Sequence, residues 1–311
     1  MHENQLTVTE ETVRALVDAQ FPDWAPLSIT AVRSAGTVNA IFRVGPHLAA
    51  RFPLRDADPD AVLALIRREA DAARELAGHT TVAVPEPVAL GEPGAGYPLP
   101  WSVQTWVAGT TATECDPASS VPFASDLASF IAEVRSIDVA GRTFDRTGRG
   151  GDLRNHDDWM DTCLERSRAL LDVGRLRAMW ARMRDLPRAS PDAMTHGDLI
   201  PGNVLVVDGR LAGVLDTGGL GPADPALDLV AAWHLLDAAP RRRFRAMLRC
   251  EDLEWERGKA WAFEQSMGVV WYYLDTNPTM SRMGRRTIER ILAAETGTES
   301  DDVDDAGQER R

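Results

Sequence analysis

The chain has 311 residues, 44% hydrophobic and 26% charged, which is long enough for two lobes and ordinary for a globular protein in water. Its formal net charge of −13 argues against a nucleic-acid binder, which needs a basic face, and suits a cationic small molecule. Three widely spaced cysteines, no apolar run of spanning length and a polar N-terminus point to a reduced, cytoplasmic protein with no membrane partner.

Thr9 caps a first helix that carries Val13, Leu16 and Val17 at helical spacing and stops before Pro22. Three β-like runs follow, at 28–33, 38–44 and 48–52, spaced as an antiparallel meander. The turn between the first two holds Gly36 and Thr37, whose small size would let backbone N–H groups approach phosphates. Arg51 is an unusual basic residue in a short apolar strand. Asp58-Pro59 opens a long helix that Gly78 closes. Glu69 lies on or beside its apolar stripe of Val62, Leu65, Ile66, Ala70, Ala73 and Leu76. A carboxylate there is costly unless paired, and Arg51 is the natural partner; a plain rim ion pair is the alternative. Beyond a Gly/Pro-rich loop at 91–100, a strand at 101–107 ends at Ala108-Gly109, where we set a lobe boundary.

The chain then reads as helical at about 121–140, 155–171 and 173–186. The loop at 141–154 contains Gly148-Arg-Gly-Gly-Asp152 and is long enough to be functional or mobile. Next comes a polar loop from His196 to Asn203, then two apolar runs, Val204–Val207 and 211–215, joined by the hairpin turn Asp208-Gly209. Asp216 follows where the second run ends. Asp224-Pro225 starts a helix to about 237, with Asp228 placed to accept hydrogen bonds from a neighbouring loop. Helices at about 240–249, 253–275 and 281–294 complete the pattern. The second of these carries Trp255, Trp261, Phe263, Trp271, Tyr272 and Tyr273, as core or as the wall of a site. Residues 296–311 are polar and acidic and read as a disordered tail.

A hairpin with Asp198 and Asn203 before it and Asp216 after it gathers three oxygen-bearing side chains at one end. Such hard ligands suit Mg²⁺ and a hydroxyl proton. Moving a γ-phosphoryl group to an alcohol needs such a metal, a carboxylate near the hydroxyl and a cation on the phosphates. Asp198 would be the base, Asn203 and Asp216 the metal ligands, and Arg51, steadied by Glu69, the phosphate clamp. The nucleotide base would lie against the connector between lobes, with backbone groups of Gln104 and Trp106 as partners.

The string His196-Gly-Asp198-Leu-Ile-Pro-Gly-Asn203-Val-Leu, with Leu215-Asp216 and Asp224-Pro-Ala-Leu-Asp228-Leu, resembles the aminoglycoside phosphotransferase family over about residues 25–290. That resemblance implies an α+β, protein-kinase-like bilobal fold with a small antiparallel β N-lobe at 1–107 and a larger, mainly helical C-lobe at 108–295. It implies that Asp198 is the catalytic aspartate, that Asn203 and Asp216 hold Mg²⁺, and that ATP or GTP is the donor. His196 then braces the catalytic loop and Asp228 holds it in shape. Two departures stand out. Arg51 occupies the place of the family's nucleotide-binding lysine, and an arginine is a planar fork rather than a point charge. Thr217-Gly218-Gly219 replaces larger residues after the metal aspartate, which predicts a more open metal loop.

The implied acceptor is a small, cationic, antibiotic-like molecule such as an aminoglycoside or macrolide. A metabolic alcohol or sugar kinase, a nucleotide-holding pseudokinase and a metal-dependent hydrolase are the competing readings. For an amine-bearing acceptor, the candidate contacts are Asp152, Asp157, Asp158 and Glu264, with Trp271 as an aromatic wall.

Overall fold

In a computed structural model of the protein, residues 6–32, 38–188 and 190–296 are described. Gly36, Thr37 and the acidic tail beyond Thr296 lie outside the described residues.

The N-terminal part is helix α1 (Glu10–Gln20), then strands β1 (Ile29–Val32), β2 (Asn39–Val44) and β3 (Leu48–Pro53), helix α2 (Pro59–Ala77), and strands β4 (Pro87–Gly91) and β5 (Trp101–Thr105). The five strands form one antiparallel sheet in the order β1-β2-β3-β5-β4. The meander read from sequence is therefore three strands of five. The β4 strand escaped the pattern because it begins at Pro87, which an edge strand tolerates. Asp58 caps α2 by accepting from the Ala61 N–H at 3.0 Å, and Pro59 sits in its first turn. Phe52 and Trp101 stack face to face at 4.8 Å at the centre of this core, with Val13, Leu16, Val17, Val62, Ile66 and Val103 around them.

The larger part begins with β6 (Thr110–Thr111) and helices α3 (Val121–Ser136), α4 (Asp157–Arg166) and α5 (Val173–Met183). Strands β7 (Ala193–Thr195), β8 (Val204–Val207), β9 (Arg210–Val214) and β10 (Gly221–Ala223) follow, then α6 (Val230–Leu235), α7 (Ala238–Leu248), α8 (Asp252–Tyr272) and α9 (Pro278–Thr296). The hairpin turn has φ of +50° at Asp208 and +71° at Gly209, the left-handed pair that a two-residue turn requires. α8 is buried along almost its whole length and packs against α4, α6 and α9. Its Trp255, Trp261 and Phe263 are core, whereas Tyr272 is exposed and Trp271 half-buried, so the aromatic helix is core for most of its length and surface at its end.

The single helix expected from Asp224 to about 237 is instead a 3-10 turn, Pro225–Leu229, followed by α6. Arg257 on α8 anchors this turn. Its Nε donates to Asp224 Oδ2 at 2.6 Å, its Nη1 to the Leu186 carbonyl at 2.5 Å and its Nη2 to the Gly151 carbonyl at 2.9 Å. The Asp224 N–H in turn donates to the Gly150 carbonyl at 2.9 Å. The glycine-rich loop and the 224–229 turn are thus tied to one buried ion pair. Among the described residues, no helix is long and apolar enough to cross a membrane.

Candidate active site

The hairpin register builds the site. Val204 pairs with Val214, and one step outward the Leu215 N–H donates to the Asn203 carbonyl at 2.7 Å. Asn203 and Asp216 are therefore brought to the same end of the hairpin. The chain turns sharply at Asp216, which adopts the left-handed conformation with φ +59° and opens the 3-10 turn Thr217–Gly219.

The loop before the hairpin is held from below by Asp228. Its carboxylate accepts from the backbone N–H groups of His196 at 2.8 Å and Gly197 at 2.9 Å, as expected from the sequence. Full burial pushes the Asp228 carboxyl above its ordinary range, and His196 and these two donors pull it back. His196 is fully buried, meets Phe130 edge-on at 6.1 Å, and its Nδ1 accepts from the Asp198 N–H at 3.4 Å. That environment braces the loop. Gly219 belongs to the same packing: a Cβ there would lie 2.7 Å from the His196 carbonyl oxygen.

Asp198 is a third exposed, and both of its carboxylate oxygens accept hydrogen bonds. Asn203 Nδ2 donates to its backbone carbonyl at 3.0 Å and to its Oδ2 at 2.9 Å. With the Asn203 amide nitrogen spent on Asp198, its Oδ1 is left as the end suited to a cation. Asp198 Oδ1 accepts from Gln265 Nε2 on α8 at 3.2 Å and from Arg149 Nη2 at 3.3 Å. Gln265 and Arg149 are the residues that sequence reasoning missed. The only signal for Arg149 was its glycine-rich setting, and Gln265 had none.

The opposing charge comes from the smaller sheet. Arg51 Nη1 on β3 donates to Glu69 Oε2 on α2 at 3.1 Å, both side chains largely buried. Burial raises the Glu69 carboxyl, Arg51 lowers it and neighbouring Asp216 raises it again, so α2 carries this pair up against the Asp216 turn. Gly218 explains the fit, because a Cβ there would stand 3.1 Å from Glu69 Cγ. The small residue at 218 makes room for Glu69 beside the Asp216 turn. Glu69→Ala is expected to raise the nucleotide KM about tenfold, or about 1.4 kcal/mol, the low end for a charged hydrogen bond. Steady-state kinetics at varied nucleotide check it, and an unchanged KM would reduce the pair to a structural contact.

Other sequence-based candidates meet their own partners. Gln104 lies within the ladder, opposite Ala49 and Pro87. The Trp106 N–H donates to the His47 carbonyl at 2.7 Å, so of its backbone groups the amide already has a partner. Asp152 caps its own turn, accepting from the Arg154 N–H at 3.0 Å. Asp157 accepts from the Arg184 guanidinium, at 2.8 Å through Nε, and from the Trp180 indole at 2.9 Å. Arg184 holds its carboxyl below the usual range. Glu264 is buried against His156 at 2.9 Å. Asp157 and one oxygen of Glu264 therefore already have internal partners, while Glu264 Oε2 is buried without one. Trp271 packs on Trp159 at 6.0 Å and under Arg166. Among the described residues no three His, Cys, Asp or Glu side chains cluster as a metal site.

Residues 29–261 match the profile of the phosphotransferase enzyme family. Over 145 residues the chain is 31% identical to an aminoglycoside 3'-phosphotransferase of Escherichia coli, covering 44% of this chain and 52% of that one. A shorter segment of 60 residues is 40% identical to another Escherichia coli aminoglycoside 3'-phosphotransferase, covering 22% of it. The chain thus aligns with about half, or less, of these curated relatives. The GDP complex of aminoglycoside 2'-phosphotransferase-IIIa superposes with a TM-score of 0.70 at 20% identity, covering 92% of this chain and 100% of that one. A macrolide 2'-phosphotransferase from Brachybacterium faecium superposes with a TM-score of 0.60 at 20% identity, covering 89% and 97%. These likenesses establish the bilobal fold.

Proposed function

The chain belongs to the phosphotransferase enzyme family, and from that premise we propose that it transfers the γ-phosphoryl group of ATP or GTP to a hydroxyl of a small, antibiotic-like acceptor. One observation carries this reading: Asp198 and Asn203 are locked together at the hairpin end that Asp216 shares, and the Arg51–Glu69 pair abuts the same turn.

In this reading Asp198 orients the attacking hydroxyl and takes its proton. Asn203 through Oδ1 and Asp216 through its carboxylate would hold Mg²⁺. Two protein oxygens match the way Mg²⁺ is usually bound, with phosphates and water completing the shell. When bound, the ion neutralises phosphate charge. Arg51 faces the phosphates as a fork, and Glu69 fixes its direction. Asp228 keeps the loop amides of His196 and Gly197 in place while the load changes.

The acceptor enters beside the catalytic loop. A cavity of about 580 Å³ reaches that loop at Pro201 and is also lined by Thr113, Asp116, His234, Met283 and Arg286, but not by Asp198. Its size suits a drug-sized molecule. The aminoglycoside and macrolide enzymes that share the fold support this class of acceptor.

Asp216→Ala is expected to weaken binding of the Mg²⁺-nucleotide at least tenfold while leaving metal-free nucleotide binding nearly unchanged. Calorimetry with and without Mg²⁺ checks this, and an unaltered metal dependence would remove Asp216 as a ligand. The function itself is tested by nucleotide consumption against aminoglycosides, macrolides, cationic peptides and simple metabolic alcohols, with ATP and GTP in parallel. Turnover with only a metabolic alcohol would replace the antibiotic reading by the metabolic one.

A further inference from the structure

Asp198 is tied to the interior of the helical lobe by a chain of side chains that the reaction scheme above does not use. Gln265 on α8 donates its amide to Asp198 Oδ1 at 3.2 Å. The other end of that amide, Oε1, lies 3.1 Å from His234 Nε2 on α6. His234 Nδ1 lies 2.9 Å from the Thr287 hydroxyl on α9. Three helices thus contribute one residue each to a line ending on the proposed base.

The donors can be assigned along the whole line. A carboxylate only accepts, so Gln265 must turn its NH₂ to Asp198 and its carbonyl to His234. The His234 Nε2 must then carry a proton to give to that carbonyl. Burial depresses the ring's pKa to about 4, so at neutral pH it is uncharged and Nδ1 is bare. Nδ1 then accepts from the Thr287 O–H. That hydroxyl also lies 3.0 Å from the Met283 carbonyl, but it has one proton, and the His234 tautomer decides where it goes. A reversed amide would put two oxygens against each other at Asp198, and His234 would meet it only by moving its proton to Nδ1. Only one orientation satisfies every group.

We propose that Gln265 is a positioning residue for Asp198, and that His234, as the Nε2–H tautomer with Nδ1 accepting from Thr287, supports the Gln265 amide in the orientation that holds Asp198 Oδ1. The inference rests on the reading of Asp198 as the base. Asn203 holds one carboxylate oxygen, and Gln265 together with Arg149 holds the other, so both oxygens of the base are fixed.

Gln265→Leu keeps the volume and removes the donor. It is expected to lower kcat about ten- to a hundredfold, with nucleotide KM unchanged, because only the base is misdirected. His234→Phe and Thr287→Val should lower kcat less, and adding either to Gln265→Leu should cost nothing further, since all act through one amide. The readouts are transfer to kanamycin or a macrolide and slow nucleotide hydrolysis by water. Long-range ¹H–¹⁵N spectra of the wild-type protein supply a readout independent of turnover. They should show His234 as the neutral Nε2–H tautomer at neutral pH. A charged ring, the Nδ1–H tautomer, additive losses in the double variants, or unchanged kcat in a folded Gln265→Leu would each overturn the relay. If Asp198→Ala also left activity intact, the base assignment itself would fall, which separates the two failures.

Discussion

Asp198→Ala is expected to reduce phosphoryl transfer by about a hundred- to ten-thousandfold, the range for losing a general base, while nucleotide affinity stays within about threefold of wild type. The split follows from the local hydrogen bonds. The variant loses the carboxylate proposed to take the hydroxyl proton. It keeps the backbone carbonyl at 198, to which Asn203 Nδ2 donates at 3.0 Å, so the Asn203 side chain stays anchored with its Oδ1 facing the metal position. Neither Asp216 nor the Arg51–Glu69 pair touches the Asp198 carboxylate. Single-turnover rates and nucleotide titrations measure the two effects separately. Near wild-type turnover would refute the role, and a matching collapse of nucleotide binding would show that Asp198 holds the metal loop rather than the acceptor.

Arg257→Met is expected to have the largest effect on stability. The Arg257 and Asp224 side chains are 1% and 2% exposed, and the change strands a buried carboxylate. Breaking one side of such a pair costs about 3–5 kcal/mol, far more than the pair contributes against an apolar replacement. Two carbonyls, of Leu186 and Gly151, lose their donor as well. In a chain of this size the Tm should fall by roughly 10 °C. Asp224→Asn combined with Arg257→Met should lose less than the sum, because the stranded charge is gone. A Tm within a degree or two of wild type would mean that the 224–229 turn is held by packing alone. The anchor also reaches function: it pins Gly150 and Gly151, immediately beside the Arg149 that contacts Asp198.

The central constellation was legible because it is local. Asp198, Asn203 and Asp216 lie along one loop and one hairpin; the two-residue turn sets the pairing at Val207–Arg210, and a bulge at Ala212 then shifts it so that Val204 meets Val214. The Arg51–Glu69 pair was legible for an energetic reason. A carboxylate on the apolar stripe of α2 needs a cation, and one strand away stood a cation with no other purpose. Gln265 was invisible because α8 is buried on all its faces, so its pattern has no polar side on which a functional amide would stand out. Asp157 and Glu264 looked like open carboxylates because their partners, Arg184 and His156, come from distant positions that only the tertiary fold brings close. The strands β7 and β10 have three residues each and include Pro222, too short for any alternation to register, yet they frame the loop that carries His196. The broken helix after Asp224 reflects the demands placed on Asp228, whose carboxylate must reach two loop amides while its backbone stays in a tight turn.

The central claim is that Asp198 directs a hydroxyl of a small acceptor at the γ-phosphate of a nucleotide. Mass spectrometry of the acceptor, after incubation with Mg²⁺ and ATP or GTP, tests it most directly when wild type and Asp198→Ala are run together across the acceptor panel. A phosphate monoester formed by the wild type and absent with the variant is the predicted result. An acceptor phosphorylated equally by both proteins, or nucleotide consumed with no acceptor ever modified, would contradict the account.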